Sequence, residues 1–113
     1  MTSFSAQIEF LKQHSSYAQR WLNSRPEWVD WLQSQAACKI DVAGIRGLLS
    51  PCQDALNVPE QDEAQFMAEL RLARQRLMLW VAYRDLNGMA DLSEVTHALS
   101  HFAEEALALS IAY

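Results

Sequence analysis

The stretch that decides the fold is residues 60–88, which read EQDEAQFMAELRLARQRLMLWVAYRDLNG. Its apolar residues recur at spacings of three and four, the pattern of a helix that buries one face. Acidic residues come before arginines along the stretch, and this order suits the helix macrodipole. The pattern predicts a long helix over about 60–87, ended by the Asn87–Gly88 pair. Its expected buried residues are Phe66, Leu70, Ala73, Leu77, Trp80 and Val81.

A second long helix is predicted over about 91–113. Asp91 followed by Glu94 forms a variant capping box, with Asp in the place of the usual Ser or Thr. No stop signal follows, and after Ala106 only Ser110 is plainly polar. We expect an apolar surface that a neighbouring part of a longer protein covers; the alternative is the buried last helix of a complete bundle. The expected apolar face is Leu92, Val95, Leu99, Phe102, Ala106 and Leu109, widened by Ala103, Leu107 and Ile111.

Shorter helices are predicted upstream. Ser3, Ser15 or Ser16, and Asp41 are suitable N-caps, and Pro26 suits a first helical turn. We expect Pro51 to end the fourth helix. The sequence leaves the structure of 51–59 open, with Ala55 and Leu56 able to form one helical turn. Chain-wide, Ala and Leu number 31 against 11 for Val, Ile and Thr, which favours helices over strands. The prediction is an all-α bundle of five to six helices, with residues 1–113 forming a single helical domain.

Composition and charge exclude several classes of protein. The net charge of −5 disfavours nucleic-acid binding. The longest apolar run, over residues 77–83, is far shorter than the roughly 20 residues that cross a membrane. Cys38 and Cys52 have no metal-ligand spacing, and without a visible export signal they indicate reduced, buried thiols in a cytoplasmic protein.

Four arginines form the only basic cluster: Arg71, Arg74, Arg76 and Arg84. Guanidinium groups can hold a phosphate or a carboxylate. The alternative is ion pairing with Asp85 and Glu69, including a buried Arg–Asp brace between the last two helices.

A weak metal signal lies on the last helix. Glu94 and His97 have the Glu-x-x-His spacing of di-iron bundles, but that site needs a second such motif from a facing helix. The other interpretation is a solvated polar face. No nucleophile motif or phosphate loop is present, so no catalytic residue and no metal ligand is predicted. The polar stripe consists of Glu94, His97, His101, Glu104 and Glu105.

Three stretches in order resemble bacterial glutamine synthetase adenylyltransferase, a bifunctional adenylyl-transferring and adenylyl-removing family. They are RPEWVDWL at 25–32, FMAELRLARQRLMLWVAYRDLNGM at 66–89, and DLSEVTHALSHFAE at 91–104. One departure is Arg25, where the family usually has histidine.

The resemblance implies a fragment of the N-terminal, adenylyl-removing half, which phosphorolyses AMP-tyrosine on glutamine synthetase and releases ADP. The Gly-Lys-Leu-Gly-Gly and Ser-Asp-x-Asp-Leu stretches of the nucleotidyltransferase domain that follows are absent here. The 113 residues are therefore expected to be inert and to hold no cofactor. Mg and ATP or ADP are implied for the full-length enzyme, as are glutamine synthetase and a nitrogen-signalling protein as partners.

The resemblance also implies a role for the polar motif positions Arg71, Arg74, Arg76 and Asp85. They are expected to brace the helical region against the nucleotidyltransferase core, with contact to a nucleotide phosphate as a weaker option. The alternative function is a free-standing helical protein-interaction module. The gene downstream of codon 113 distinguishes the two, because only the first continues into a Gly-rich, Ser-Asp-x-Asp sequence.

Overall fold

A computed structural model describes residues 3–35, 38–57 and 62–112. Within these ranges the chain forms six α-helices and no strand, so the predicted all-α class is confirmed. The two long helices lie within a few residues of their predicted bounds. The helices are Phe4–His14 (α1), Ser16–Ser24 (α2), Glu27–Gln35 (α3), Val42–Leu56 (α4), Glu63–Leu86 (α5) and Leu92–Ala112 (α6).

Side-chain caps begin five of the described helices. The sequence predicted four of them, and Asp62, which it did not single out, caps α5 by accepting a hydrogen bond from the Ala64 amide. Ser3 accepts a hydrogen bond from the Ala6 amide, and Ser15, rather than Ser16, accepts one from the Ala18 amide. The carboxylates of Asp41 and Asp91 each accept one at 2.8 Å from the amide three residues on. These bonds satisfy amides that have no partner inside a helix. At the other end of α5, Gly88 has a φ of +70°, which confirms the predicted left-handed stop.

The prediction that Pro51 ends the fourth helix is wrong, because α4 continues to Leu56. Proline removes one helical hydrogen bond, here the one to the carbonyl of Gly47 four residues earlier. Leu48 and Leu49 before the proline and Cys52 after it are buried, so packing on both sides offsets that loss. The last part of the stretch 51–59 lies outside the described residues.

Helix α5 lies at the centre of the bundle and packs most extensively along α4. It also contacts α1, α3 and α6. Its predicted apolar face is confirmed, except that Leu70 is only half-buried. Over residues 77–84, six of the eight side chains are buried, so other helices cover this part of α5 on several faces. The buried residues there are Leu77, Leu79, Trp80, Val81, Tyr83 and Arg84.

The predicted apolar face of α6 is confirmed in part: Phe102 is buried, and Val95, Ala106 and Leu109 pack against the core, but the rest of the face is uncovered. Leu92 and Ile111 are 82% and 78% exposed, and Leu99 and Leu107 are exposed as well. Glu94 and Ala98, which lie outside the predicted face, are buried as well. A large part of the apolar surface of α6 therefore faces solvent. None of the described helices is both long and apolar enough to cross a membrane.

Candidate functional site

The four clustered arginines lie in three different environments. Arg71 and Arg74 are exposed and lie one helical turn apart on α5. Arg76 is half-buried and turned about 140° away from Arg71 around the helix axis. Arg84 is buried near the end of α5. The structure brings only Arg71 and Arg74 together, and Asp85 is exposed about 16 Å along the axis from Arg74.

Arg71 and Arg74 line a groove of about 300 Å³ between α5 and α6. Met67 and Leu70 from α5, with Phe102 and Ala106 from α6, supply its apolar lining. We call this feature the arginine-rimmed groove. Its combination of apolar surface and positive charge suits an amphipathic partner that carries acidic side chains.

The groove continues into the uncovered side of α6. Leu99 and Ala103 are exposed and lie within one turn of the groove residues Phe102 and Ala106. Leu107 extends the same side toward the end of the helix. Together the groove and these side chains make one contiguous apolar surface, a feature that marks interaction sites in proteins.

The arginines of the groove have no acidic partner among the described residues. Among residues 3–35, 38–57 and 62–112, no ion pair joins Arg71 or Arg74 to a carboxylate. Glu69, one of the two acids predicted to pair with them, accepts a hydrogen bond from Gln65 at 2.9 Å. Both guanidinium groups are therefore available to a ligand or a protein partner.

A buried brace does join the last two helices, but its acid is not the predicted aspartate. Arg84 Nε lies 2.7 Å from Glu94 Oε2, and Arg84 Nη2 lies 3.1 Å from Glu94 Oε1. Arg84 also donates to the carbonyl of Met89 in the connecting turn. Both side chains are more than nine-tenths buried. Glu94 consequently serves the brace rather than the reciprocal half of the predicted capping box.

The polar stripe of α6 is not one solvated face. His97 and Glu104 are exposed, whereas His101 and Glu105 are half-buried against α4. Glu105 Oε1 lies 3.4 Å from His101 Nε2 and 3.4 Å from Arg46 Nη2. In the described part of the chain, no group of three or more His, Cys, Asp or Glu is placed to hold a metal ion.

Both cysteines are free, but only one is buried as predicted. Cys38 is exposed, and Cys52 lies in the core between α4 and α5. Burial raises the pKa of the Cys52 thiol to about 11, and the negative charge of Glu69 adds to the shift. The Cys52 thiol therefore stays protonated at neutral pH and does not act as a nucleophile.

A family model described as glutamate-ammonia ligase adenylyltransferase matches residues 5–113. The chain belongs to this family. It is 35% identical over 107 residues to a bifunctional glutamine synthetase adenylyltransferase/adenylyl-removing enzyme of Ralstonia nicotianae, a match that covers 95% of this chain and 11% of that enzyme. A protein of the same name from Thioalkalivibrio sulfidiphilus is 49% identical over 47 residues, covering 42% of this chain and 5% of that protein. No solved structure matches the chain.

The adenylyltransferase stretches that carried the resemblance build the frame of the bundle. The first joins α2 to α3, where Arg25 lies over the ring of the buried Trp28 and Trp28 stacks on Trp21 at 5.4 Å. The second is α5 with its glycine stop, and the third is the capped start of α6. Within these stretches Arg84 has a structural role, whereas Arg71 and Arg74 are exposed and form no ion pair with a described residue.

Proposed function

We propose that this chain is a non-catalytic helical region in the adenylyl-removing half of a bifunctional glutamine synthetase adenylyltransferase. In that enzyme it packs against the nucleotidyltransferase core through the arginine-rimmed groove and the adjoining side of α6. The observation that carries this proposal is the uncovered apolar surface of α6, which continues into the groove. The chain spans 11% of the Ralstonia relative, which leaves ample polypeptide to cover that surface.

The physical reason for docking here is the unfavourable free energy of exposing the apolar side of α6 to water. Burying apolar area yields about 25 cal/mol per Å², and Leu99, Leu107 and Ile111 bury much of theirs only against another body. Arg71 and Arg74 then fix the orientation by pairing with acidic side chains of the core. Arg76 and Asp85, which the sequence grouped with these arginines, lie elsewhere in the fold and are not part of this docking surface. A nucleotide phosphate is the weaker partner for the arginines.

The proposed lack of catalysis rests on the sequence. It contains no Ser-Asp-x-Asp stretch that would supply carboxylates for metal-assisted transfer. Magnesium and ATP or ADP are accordingly assigned to the rest of the enzyme. The full-length protein is proposed to act in the cytoplasm on glutamine synthetase, under the control of a nitrogen-signalling protein.

The docking proposal is tested by charge reversal in the full-length enzyme. We expect Arg71→Glu with Arg74→Glu to lower the rate of adenylyl removal from glutamine synthetase by about tenfold or more, because paired charges at an interface become repulsive. Arg20→Glu, which reverses an exposed arginine on α2, is the matched control. Unchanged removal by the double variant, with normal folding, would contradict the docking role.

The proposed inertness is tested on the chain itself. Incubated with adenylylated glutamine synthetase, phosphate and magnesium, the chain should release no ADP. Titration with ATP or ADP examines the weaker option in the same preparation. Absence of binding at millimolar nucleotide removes that option for the isolated chain.

A further inference from the structure

A second cavity lies on a different face of α5 from the groove. It has a volume of about 500 Å³ and is bounded by the end of α3, the start of α4 and the middle of α5. Its walls include the rings of Trp31 and Trp80, the side chain of Leu48 and the side chain of Arg76. Cavities of this size that combine apolar walls with a small set of polar groups are typical of small-molecule sites. The polar side chains here are Gln35, Lys39, Asp41 and Arg76. We call it the Arg76 cleft.

Arg76 is half-buried in this cleft with little bonding. Its guanidinium carbon lies 5.8 Å from the centroid of the Trp31 ring, and Nη2 donates to the Leu48 carbonyl at a long 3.4 Å. No described carboxylate forms an ion pair with it, although Glu69 contributes a favourable field from the same helix. A guanidinium has five N–H donors. Most of those of Arg76 are therefore unused despite its partial burial.

The charged side chains that line the cleft indicate the charge of its ligand. Lys39 and Arg76 are cationic, while Asp41 is anionic and already accepts a hydrogen bond from the Gly44 amide. The lining therefore carries a net charge of +1, which matches a monovalent anion better than a divalent phosphate. Guanidinium groups bind carboxylates through two parallel hydrogen bonds.

The walls of the cleft favour an organic ligand over an inorganic ion. Trp31 presents a half-buried ring, and Leu48 and the ring of Trp80 close the interior. Trp80 is buried, and its Nε1 has no hydrogen-bond partner among the described residues. Leu48 and Trp80 are already buried, so a ligand with an aromatic or branched apolar body would cover the half-buried Trp31 ring while its charged end meets Arg76.

We infer that the Arg76 cleft binds a small organic monocarboxylate, with its carboxylate held by Arg76 and its apolar body against Trp31 and Leu48. This site is separate from the arginine-rimmed groove and does not depend on the proposed docking role. It adds a ligand-binding function to a chain that the proposal above treats as non-catalytic.

The test uses a matched pair of probes on the ¹⁵N-labelled chain. Phenylacetate carries the carboxylate, and phenylacetamide has the same body without the charge. In ¹H–¹⁵N spectra, phenylacetate should shift the indole signals of Trp31 and Trp80 and leave those of Trp21 and Trp28 in place. We expect phenylacetamide to bind at least about tenfold more weakly, because it leaves the guanidinium unpaired. Equal binding of the two probes would overturn the proposal.

Variants of the cationic residues that line the cleft test where the carboxylate of the ligand binds. Arg76→Gln should weaken phenylacetate binding by about tenfold or more, and Arg20→Gln, at an exposed arginine outside both cavities, should change it by less than about twofold. Lys39→Gln, at an exposed position, provides a second test if Arg76→Gln fails to fold by circular dichroism; it should weaken binding severalfold. Unchanged affinity in the folded variant, or equal shifts with inorganic phosphate alone, would overturn the assignment to a monocarboxylate.

Discussion

The two halves of helix α5 place arginines in opposite environments. Near the C-terminal end, Arg84 is 6% exposed and forms two short bonds to Glu94 of α6. In the N-terminal half, Arg71 and Arg74 are exposed beside an apolar groove and have no described acidic partner. One arginine-rich segment therefore combines a side chain that fixes the fold with two that are free to contact a partner.

Surroundings, rather than residue type, produce this difference. Around Arg84 the helix is enclosed by its neighbours, and Tyr83 beside it donates a hydrogen bond to Gln7 of α1. A charge in such a place is stable only when paired and hydrogen-bonded. Around Arg71 water solvates the guanidinium, so no partner is needed. The comparison predicts that mutations at the enclosed end affect stability and that mutations at the open end affect binding.

The largest effect is expected from breaking the buried pair. Arg84→Met leaves the Glu94 carboxylate buried without its partner, and removing one member of a buried pair costs about 3–5 kcal/mol. Urea denaturation of the chain measures the free energy of unfolding. The double variant Arg84→Met, Glu94→Leu should recover most of the loss, because it buries no charge. A loss below about 1 kcal/mol in the single variant would show that Arg84 contributes no more to stability than the exposed Arg71 and Arg74.

A smaller effect is expected where α4 touches the enclosed part of α5. A Cβ added at Gly44 would lie 2.5 Å from Cη2 of the buried Trp80, so Gly44→Ala forces the ring or the helix to move. Overpacking of this kind costs about 1–3 kcal/mol. Gly47→Ala is the control on the same helix, since nothing lies within 4 Å of its Cβ position. It should stabilise the chain by up to about 1 kcal/mol through helix propensity.

Alkaline pH should gradually lower the free energy of unfolding, because two buried groups where α4 and α1 pack against α5 lose their protons. The pKa of Cys52 rises on folding from 9.0 to about 11, and burial also raises the pKa of Tyr83. A proton held more tightly by the folded chain stabilises it fully below the unfolded pKa. This contribution is lost as the pH rises through the folded pKa. Unfolding measured across pH 9 to 11 should show falling stability, and Cys52→Ala should flatten the slope. An unaltered slope in that variant would show that the thiol is not the source.

The smallest effect on stability is expected at the open end. Arg71→Glu with Arg74→Glu changes two exposed side chains that lack described ion pairs, and such surface changes usually stay within about 0.5 kcal/mol. Urea denaturation of this variant alongside Arg84→Met tests the comparison directly. A loss as large as that of Arg84→Met would mean that the groove arginines also stabilise the fold.

Most helices were predictable because their signals are local. The caps at Ser3, Ser15, Asp41 and Asp91 and the stop at Gly88 depend on residues within one turn. The apolar period of α5 likewise repeats within the helix. Pro51 shows the limit of local signals, since packing of α4 against α5 keeps the helix intact through a residue that disfavours it.

The candidate site was predictable only in part. The sequence singled out Arg71 and Arg74, but it grouped them with Arg76 and Asp85, which the fold places elsewhere. The pairing of Arg84 with Glu94 was missed because Glu94 looked like part of a solvated stripe. The sequence did contain one signal for this pair, namely the position of Glu94 three residues after the Asp91 cap. A carboxylate at that position lies close to the C-terminal end of the preceding helix.

The sequence by itself determined the helical class, most of the helix starts and the buried face of α5, because propensity, capping and periodicity act over a few residues. Only the tertiary structure decided which face of α6 is buried and which arginines remain open. Those outcomes depend on groups that meet across the bundle, where desolvation of one charge must be matched by another. Glu94 meets Arg84 there, while Leu99, Leu107 and Ile111 on the opposite side of α6 face solvent.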